Sequence, residues 1–292
     1  MKPLFTGSGV AIVTPFTDDN KIDFESFGKH IDFLIENSTD AIVVCGTTGE
    51  AATMTEEEHI ATVKYCVEKV NGRVPVISGT GSNNTAKTIK MSKACEEVGV
   101  DGLLVVTPYY NKATKKGLVK HFTEIHNSTT KPIILYNVPG RTNVNLSVEV
   151  VKELNKLDRI AGVKEASGDL SQVVRIHQNC PELPIYSGND DQITTVCAAG
   201  GVGVITVLGN VAPRQTHDIV AEFLNGNHSQ SLKLQCEMLD LCSALFSEVN
   251  PIPVKTALCE MGFNNGFMRL PLCEMEDNAK EVLLCELKKV LG

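Results

Sequence analysis

Eight short apolar runs, each rich in β-branched residues and each closing on Gly, Thr, Ser, Asn or Pro, punctuate the first 212 residues. They are GVAIVTP from Gly9, AIVVCGTT from Ala41, VPVISGTG from Val74, GLLVVTPYY from Gly102, PIILYNVPGR from Pro132, IAGVKEASG from Ile160, LPIYSGND from Leu183 and VGVITVLGN from Val202. Runs that stay apolar without alternating suit parallel strands covered on one side by helices and packed on the other. Helical patterns lie between them. Phe24, Phe27, Ile31, Leu34 and Ile35 recur at helical spacing, and Thr55 with Glu58 makes a capping-box start for a helix through Ile60, Val63 and Val67. Further helices are predicted over 85–98, 115–127, 147–156, 169–179 and 190–199.

Eight strands alternating with helices predict a (β/α)8 barrel over 1–212. A doubly wound open sheet would carry a dinucleotide or phosphate fingerprint at its first turn, and neither a G-x-G-x-x-G nor a Walker sequence follows the first run. Residues 213–292 show helical spacing broken by NPIP and Gly262, which predicts a helical extension packed on the barrel. A length of 292 residues accommodates one such barrel with an extension.

Composition narrows the function. A formal charge of −8 with scattered Lys and Arg argues against a nucleic-acid partner. No run approaches the roughly 18 apolar residues of a membrane span, and the first residues lack a signal-peptide pattern, so the expected location is the cytoplasm. The ten cysteines include no C-x-x-C pair, arguing against a zinc site; their mostly apolar neighbours predict buried free thiols. Cys45, next to a predicted loop, has no histidine close in sequence to activate it.

In a barrel of this kind the chemistry sits where the strands end. Those ends offer Thr14, Thr47 with Thr48, Gly79-Thr80-Gly81, Tyr109 with Tyr110, Tyr136 with Arg141, Lys164, Gly188, and Ile205 with Thr206. Alternation puts Ile160, Gly162 and Lys164 on one face of their strand and Ala161, Val163 and Glu165 on the other. A lysine after a strand is ordinarily solvated or ion-paired. An amine packed among small apolar groups instead loses hydration, which favours its neutral, nucleophilic form. Such an amine condenses with a ketone or aldehyde, and the protonated imine lets a neighbouring carbon become an enamine nucleophile. Tyr136, Tyr110 and Thr47 supply hydroxyls that could relay protons, Thr48 and loop N–H groups could hold a carboxylate, and Arg141 could hold a second one in bidentate fashion.

The ordered set GTTGEAATM, GTGSNNT, TPYYNK, YNVPGRT, GVKEASGD, SGND and NPIPVK resembles the pyruvate-dependent, lysine Schiff-base aldolase family along essentially the whole chain. The second Thr of GTTGE and Arg141 favour its dihydrodipicolinate synthase branch over the sialic acid lyases and sugar-acid aldolases. The resemblance implies that Lys164 binds pyruvate as an imine, that Tyr136 moves protons at that centre, and that Thr47 links Tyr136 to Tyr110. It implies that Thr48 holds the pyruvate carboxylate, Arg141 holds that of L-aspartate 4-semialdehyde, and Gly188 and Ile205 line the pyruvate pocket. It further implies a tetramer of two tight dimers in which Tyr110 crosses to the neighbouring site, a 4-hydroxy-tetrahydrodipicolinate product in diaminopimelate and lysine biosynthesis, and no metal or cofactor beyond the covalent imine.

Lysine-inhibited members of the family bind the feedback amino acid with a Ser and a His after GTTGE and a Glu on the next helix. The matching positions here are Ala51, Glu56 and Lys87, with His59, Asn83 and Tyr109 still compatible. Lys87 sets a like charge against the ligand's ammonium groups, so weak or absent lysine inhibition is expected. The competing readings are another aldolase of the family, such as an N-acetylneuraminate lyase or a sugar-acid aldolase, and a noncatalytic ligand-binding paralogue.

Overall fold

The computed structural model describes residues 3–291. Its strands are β1 (Gly7–Ala11), β2 (Ala41–Val44), β3 (Val76–Gly79), β4 (Gly102–Val106), β5 (Ile133–Asn137), β6 (Ile160–Glu165), β7 (Ile185–Ser187) and β8 (Gly203–Thr206). All pair in parallel with their sequence neighbours, and β1 also pairs with β8 from Gly7↔Gly203 to Val10↔Thr206, which closes the barrel. The helices are α1 (Phe24–Glu36), α2 (Glu56–Val70), α3 (Thr85–Glu97), α4 (Lys115–Ser128), α5 (Pro139–Thr142), α6 (Val148–Leu154), α7 (Leu170–Asn179) and α8 (Ile193–Ala198). Then come α9 (Pro213–Leu224), α10 (His228–Leu245), α11 (Ile252–Glu260) and α12 (Asp277–Leu291). This is the (β/α)8 barrel with a helical C-terminal part that the alternation predicts.

Strand parity sorts side chains into two layers. Val43, Ile77, Leu104, Ile134, Tyr136 and Ile205 point into the barrel, whereas Ile42, Val44, Leu103, Val105, Ile133 and Leu135 pack outward against the helices. The interior is plugged by Tyr186, whose ring stacks on Phe5 at 4.5 Å and whose hydroxyl donates to the Phe5 carbonyl at 2.8 Å. Helix α9 lies against β1, α10 packs on α9, and α12 closes over α10 and α11, giving the C-terminal part its own apolar core.

Local signals explain the helix starts. Thr55 Oγ1 accepts from the Glu58 N–H at 3.2 Å while Glu58 Oε2 accepts from the Thr55 N–H at 3.0 Å, a complete capping box. Asp23, Asn84, Thr114 and Asp169 cap α1, α3, α4 and α7 through their side chains. Among the described residues no helix is long and apolar enough to cross a membrane.

Three expectations need correction. Ile160 packs in the outer layer, not beside Lys164, because the pairing jumps from Ile133↔Ile160 to Ile134↔Gly162, and this bulge at Ala161 resets the alternation. The first strand begins at Gly7 rather than Gly9, since it pairs with β8 from that residue. All ten cysteines are free, yet Cys236, Cys259, Cys273 and Cys285 are exposed. Cys259 shows why: its apolar sequence neighbours Ala257 and Leu258 face the core while it lies on the outer side of α11.

Candidate active site

Lys164 sits near the C-terminal end of β6, 6% exposed, in register with Tyr136 on β5 and Tyr186 on β7. Its Nζ lies 4.4 Å from the centre of the Tyr136 ring. Gly162, below it on the same inner face, leaves room: a Cβ there would come 3.0 Å from the Tyr186 ring and 2.9 Å from the Pro184 carbonyl. Unlike Lys255, Lys164 has no carboxylate in contact among the described residues. The result is a buried amine set between two strands that each place a tyrosine beside it.

Asp190, in the 3-10 turn after β7, is the acidic group whose carboxyl feels the charge of this lysine, and nothing in the SGND pattern singles it out. Its Oδ2 accepts from the Val207 and Leu208 N–H groups at 3.0 and 2.8 Å, tying the β7 loop to the end of β8. Burial pushes its carboxyl up from the ordinary range, against the pull of Thr206, those N–H donors and the positive charge of Lys164. Gly188 approaches its neighbour so closely that a Cβ would meet that of Ala166 at 2.5 Å, and Ile205 is buried in the inner layer.

The GTTGE loop follows β2. Thr48 is buried and Thr47 exposed. Thr14 Oγ1 donates to the Gly49 carbonyl at 2.9 Å, and Asn250 Nδ2 donates to Thr48 Oγ1 at 3.0 Å. Glu50 is held in the left-handed region at φ 55° by contacts from the C-terminal part. Its Oε1 accepts from Lys255 Nζ at 2.6 Å, with both side chains sealed from solvent, and its Oε2 accepts from the Arg269 N–H at 3.3 Å. The Lys255 ammonium and Arg269 guanidinium both lie over the Phe16 ring, at 4.5 and 4.2 Å, and Arg269 also makes a bidentate pair with Glu58. Two hundred residues of chain separate these partners, so no local pattern announces them.

Arg141 projects from the one-turn helix α5, exposed, with its Nη2 3.4 Å from the Asn250 carbonyl. Tyr110 is 91% exposed and adopts φ 66°. Among the described residues no hydrogen bond joins the hydroxyls of Thr47, Tyr136 and Tyr110.

A cavity of about 320 Å³ opens between β2, β3 and β4, lined by Thr47, Ala51, His59, Lys87, Tyr109 and Tyr136. Four of the six positions compared with the lysine-binding pattern therefore meet in one space. Glu56 turns away to pair with Lys90, and the Asn83 carbonyl accepts from Asn111 Nδ2 at 3.0 Å. Burial lowers the His59 imidazole to about 4, so it is neutral there at pH 7. Cys45 also lines the cavity, but burial raises its thiol far above the range in which a thiolate forms. Among the described residues no group of three or more His, Cys, Asp or Glu side chains is placed to hold a metal ion.

The profile of the Dihydrodipicolinate synthetase family matches residues 4–290. The 4-hydroxy-tetrahydrodipicolinate synthase of Caldicellulosiruptor saccharolyticus is 53% identical over 281 residues, covering 96% of this chain and 95% of that protein. A crystal structure of dihydrodipicolinate synthase from Thermotoga maritima superposes with a TM-score of 0.96 at 42% identity, covering 98% of this chain and 99% of that one. A monomeric dihydrodipicolinate synthase variant matches equally well, at TM-score 0.96 and 42% identity over 98% of this chain and 97% of its own. Whole-length sequence similarity and a superposable barrel agree, and the chain belongs to the dihydrodipicolinate synthetase family.

Proposed function

We propose that this chain condenses pyruvate with L-aspartate 4-semialdehyde to give 4-hydroxy-tetrahydrodipicolinate, the entry into diaminopimelate and lysine biosynthesis. The observation that carries the reading is Lys164, a buried amine at a strand end with the face of Tyr136 as its neighbour and no carboxylate in ion-pairing contact among the described residues. The amine adds to the C2 carbonyl of pyruvate and expels water, leaving a protonated imine. Loss of a C3 proton makes the enamine, which forms a carbon–carbon bond to the aldehyde carbon of the second substrate while Tyr136 delivers a proton to the aldehyde oxygen. The substrate's own amine then attacks the imine carbon, closes the ring and releases Lys164.

Thr48 holds the pyruvate carboxylate, Gly188 and Ile205 line its pocket, and Arg141, nearly free of protein partners, holds the semialdehyde carboxylate. The covalent imine serves in place of a resident cofactor. Residues 1–212 form the catalytic unit and 213–292 the extension that braces it; residues 1, 2 and 292 lie outside the described part. The working location is the cytoplasm.

The exposure of Tyr110 and its left-handed backbone support an assembly in which this tyrosine completes the Thr47–Tyr136 relay of a neighbouring copy, within a tetramer of two tight dimers. Tyr110→Phe is expected to lose most turnover with the fold intact by circular dichroism; near-normal rates would remove it from the relay. Lys87 in the cavity supports weak feedback, so millimolar lysine is expected to leave steady-state rates nearly unchanged, and strong inhibition would overturn that reading. The substrate assignment is tested by comparing turnover of aspartate semialdehyde plus pyruvate with cleavage of N-acetylneuraminate and sugar acids. Faster processing of the latter would replace the synthase with another aldolase.

A further inference from the structure

Asn250 opens the NPIP segment, and its surroundings set it apart from an ordinary loop asparagine. It is only 5% exposed and bridges the two groups assigned to substrate carboxylates. Its Nδ2 donates to Thr48 Oγ1 at 3.0 Å, and its backbone carbonyl lies 3.4 Å from Arg141 Nη2. Its Oδ1, shielded from solvent, has no hydrogen-bond partner among the described residues. A buried amide oxygen without a donor costs stability, and this one belongs to the residue that touches both anion-binding side chains.

We propose that Asn250 determines specificity for an amino-bearing aldehyde: its Oδ1 accepts a hydrogen bond from the α-ammonium of L-aspartate 4-semialdehyde, while Arg141 takes the adjacent carboxylate. The inference rests on the reaction proposed above and adds the group that reads the amine. The pairing matches the substrate's chemistry, since an α-amino acid presents a carboxylate and an ammonium on one carbon, and the residue that carries the unpartnered Oδ1 touches Arg141 through its backbone carbonyl. The same side chain serves the first substrate: by donating to Thr48 Oγ1, it leaves the Thr48 hydroxyl proton to point at the keto acid's carboxylate.

The test compares aspartate semialdehyde with succinate semialdehyde, the same aldehyde lacking the amine, in the wild-type protein, Asn250→Ala and Asn250→Asp. Loss of one hydrogen bond to a charged group corresponds to roughly 10- to 100-fold in affinity. Asn250→Ala is expected to raise KM for aspartate semialdehyde by about that factor, while the inhibition constant of succinate semialdehyde moves less than about threefold. Asn250→Asp keeps an acceptor oxygen but loses the Thr48 donor, so it should preserve the preference for the amine and raise KM for pyruvate instead. Parallel changes for both aldehydes, or no change for either, would reduce Asn250 to a brace and overturn the proposal. Borohydride trapping of pyruvate on Lys164 is run on every variant. Trapping with unchanged aldehyde preference sinks this inference alone, and no trapping in the wild type sinks the reaction beneath it.

Discussion

Lys164→Met is expected to lower turnover on the order of 10³-fold or more, because in the proposed reaction it removes the atom that becomes part of the intermediate rather than one that assists it. Methionine fills the same narrow space between Tyr136 and Tyr186 with an unbranched apolar chain. The melting temperature is therefore expected to hold or rise, since a polar group leaves a buried position that offers it an aromatic face and no ion-pair contact. The check is a steady-state assay beside thermal denaturation. A large loss of activity with an intact melting transition assigns the effect to chemistry. Retention of a tenth of the wild-type rate would mean that carbon–carbon bond formation does not pass through this amine.

The second large effect lies away from the reacting atoms. Lys255→Met leaves Glu50 without its cation in a sealed site, and breaking one side of a buried ion pair costs about 3–5 kcal/mol. Burial already presses the Lys255 ammonium below its ordinary range, offset by the attraction of Glu50. Glu50 is also the residue whose left-handed backbone ends the loop bearing Thr48. The single variant is thus expected to lower the midpoint of denaturation and to weaken pyruvate binding together. The double variant Glu50→Gln/Lys255→Met, which removes both charges, should recover much of the stability, since well-packed neutral groups often replace such a pair at little cost. A double-mutant cycle by chemical denaturation measures this. Additive losses would show that the two side chains are not coupled.

Much of this architecture was legible because a closed parallel barrel has a regular sequence rhythm. Apolar runs such as AIVVCGTT and GLLVVTPYY map onto β2 and β4, and Thr47 and Tyr109 near their ends line the cavity. Lys164 was legible as a lysine inside an apolar strand run, but the run does not say which of its faces points inward; the register with Tyr136 and Tyr186 does. The placement of Ile160 was not, since a one-residue bulge leaves no mark in an alternating pattern. Asp190, Asn250 and the Glu50–Lys255 pair were also hidden. Each acts through a contact between distant segments, as when Asn250 reaches Thr48 across the interface of barrel and extension. Charged or polar residues that are solvated in most loops become site-forming only once the fold brings their partners to them.

The central claim is that one buried amine captures a keto acid covalently. It is tested most directly by reducing the protein with borohydride in the presence of pyruvate and sequencing the modified peptide by mass spectrometry. The account predicts a single pyruvate-derived adduct on Lys164, formed only when both reagents are present. An adduct on a different lysine, or no adduct under conditions in which the enzyme turns over, would contradict it.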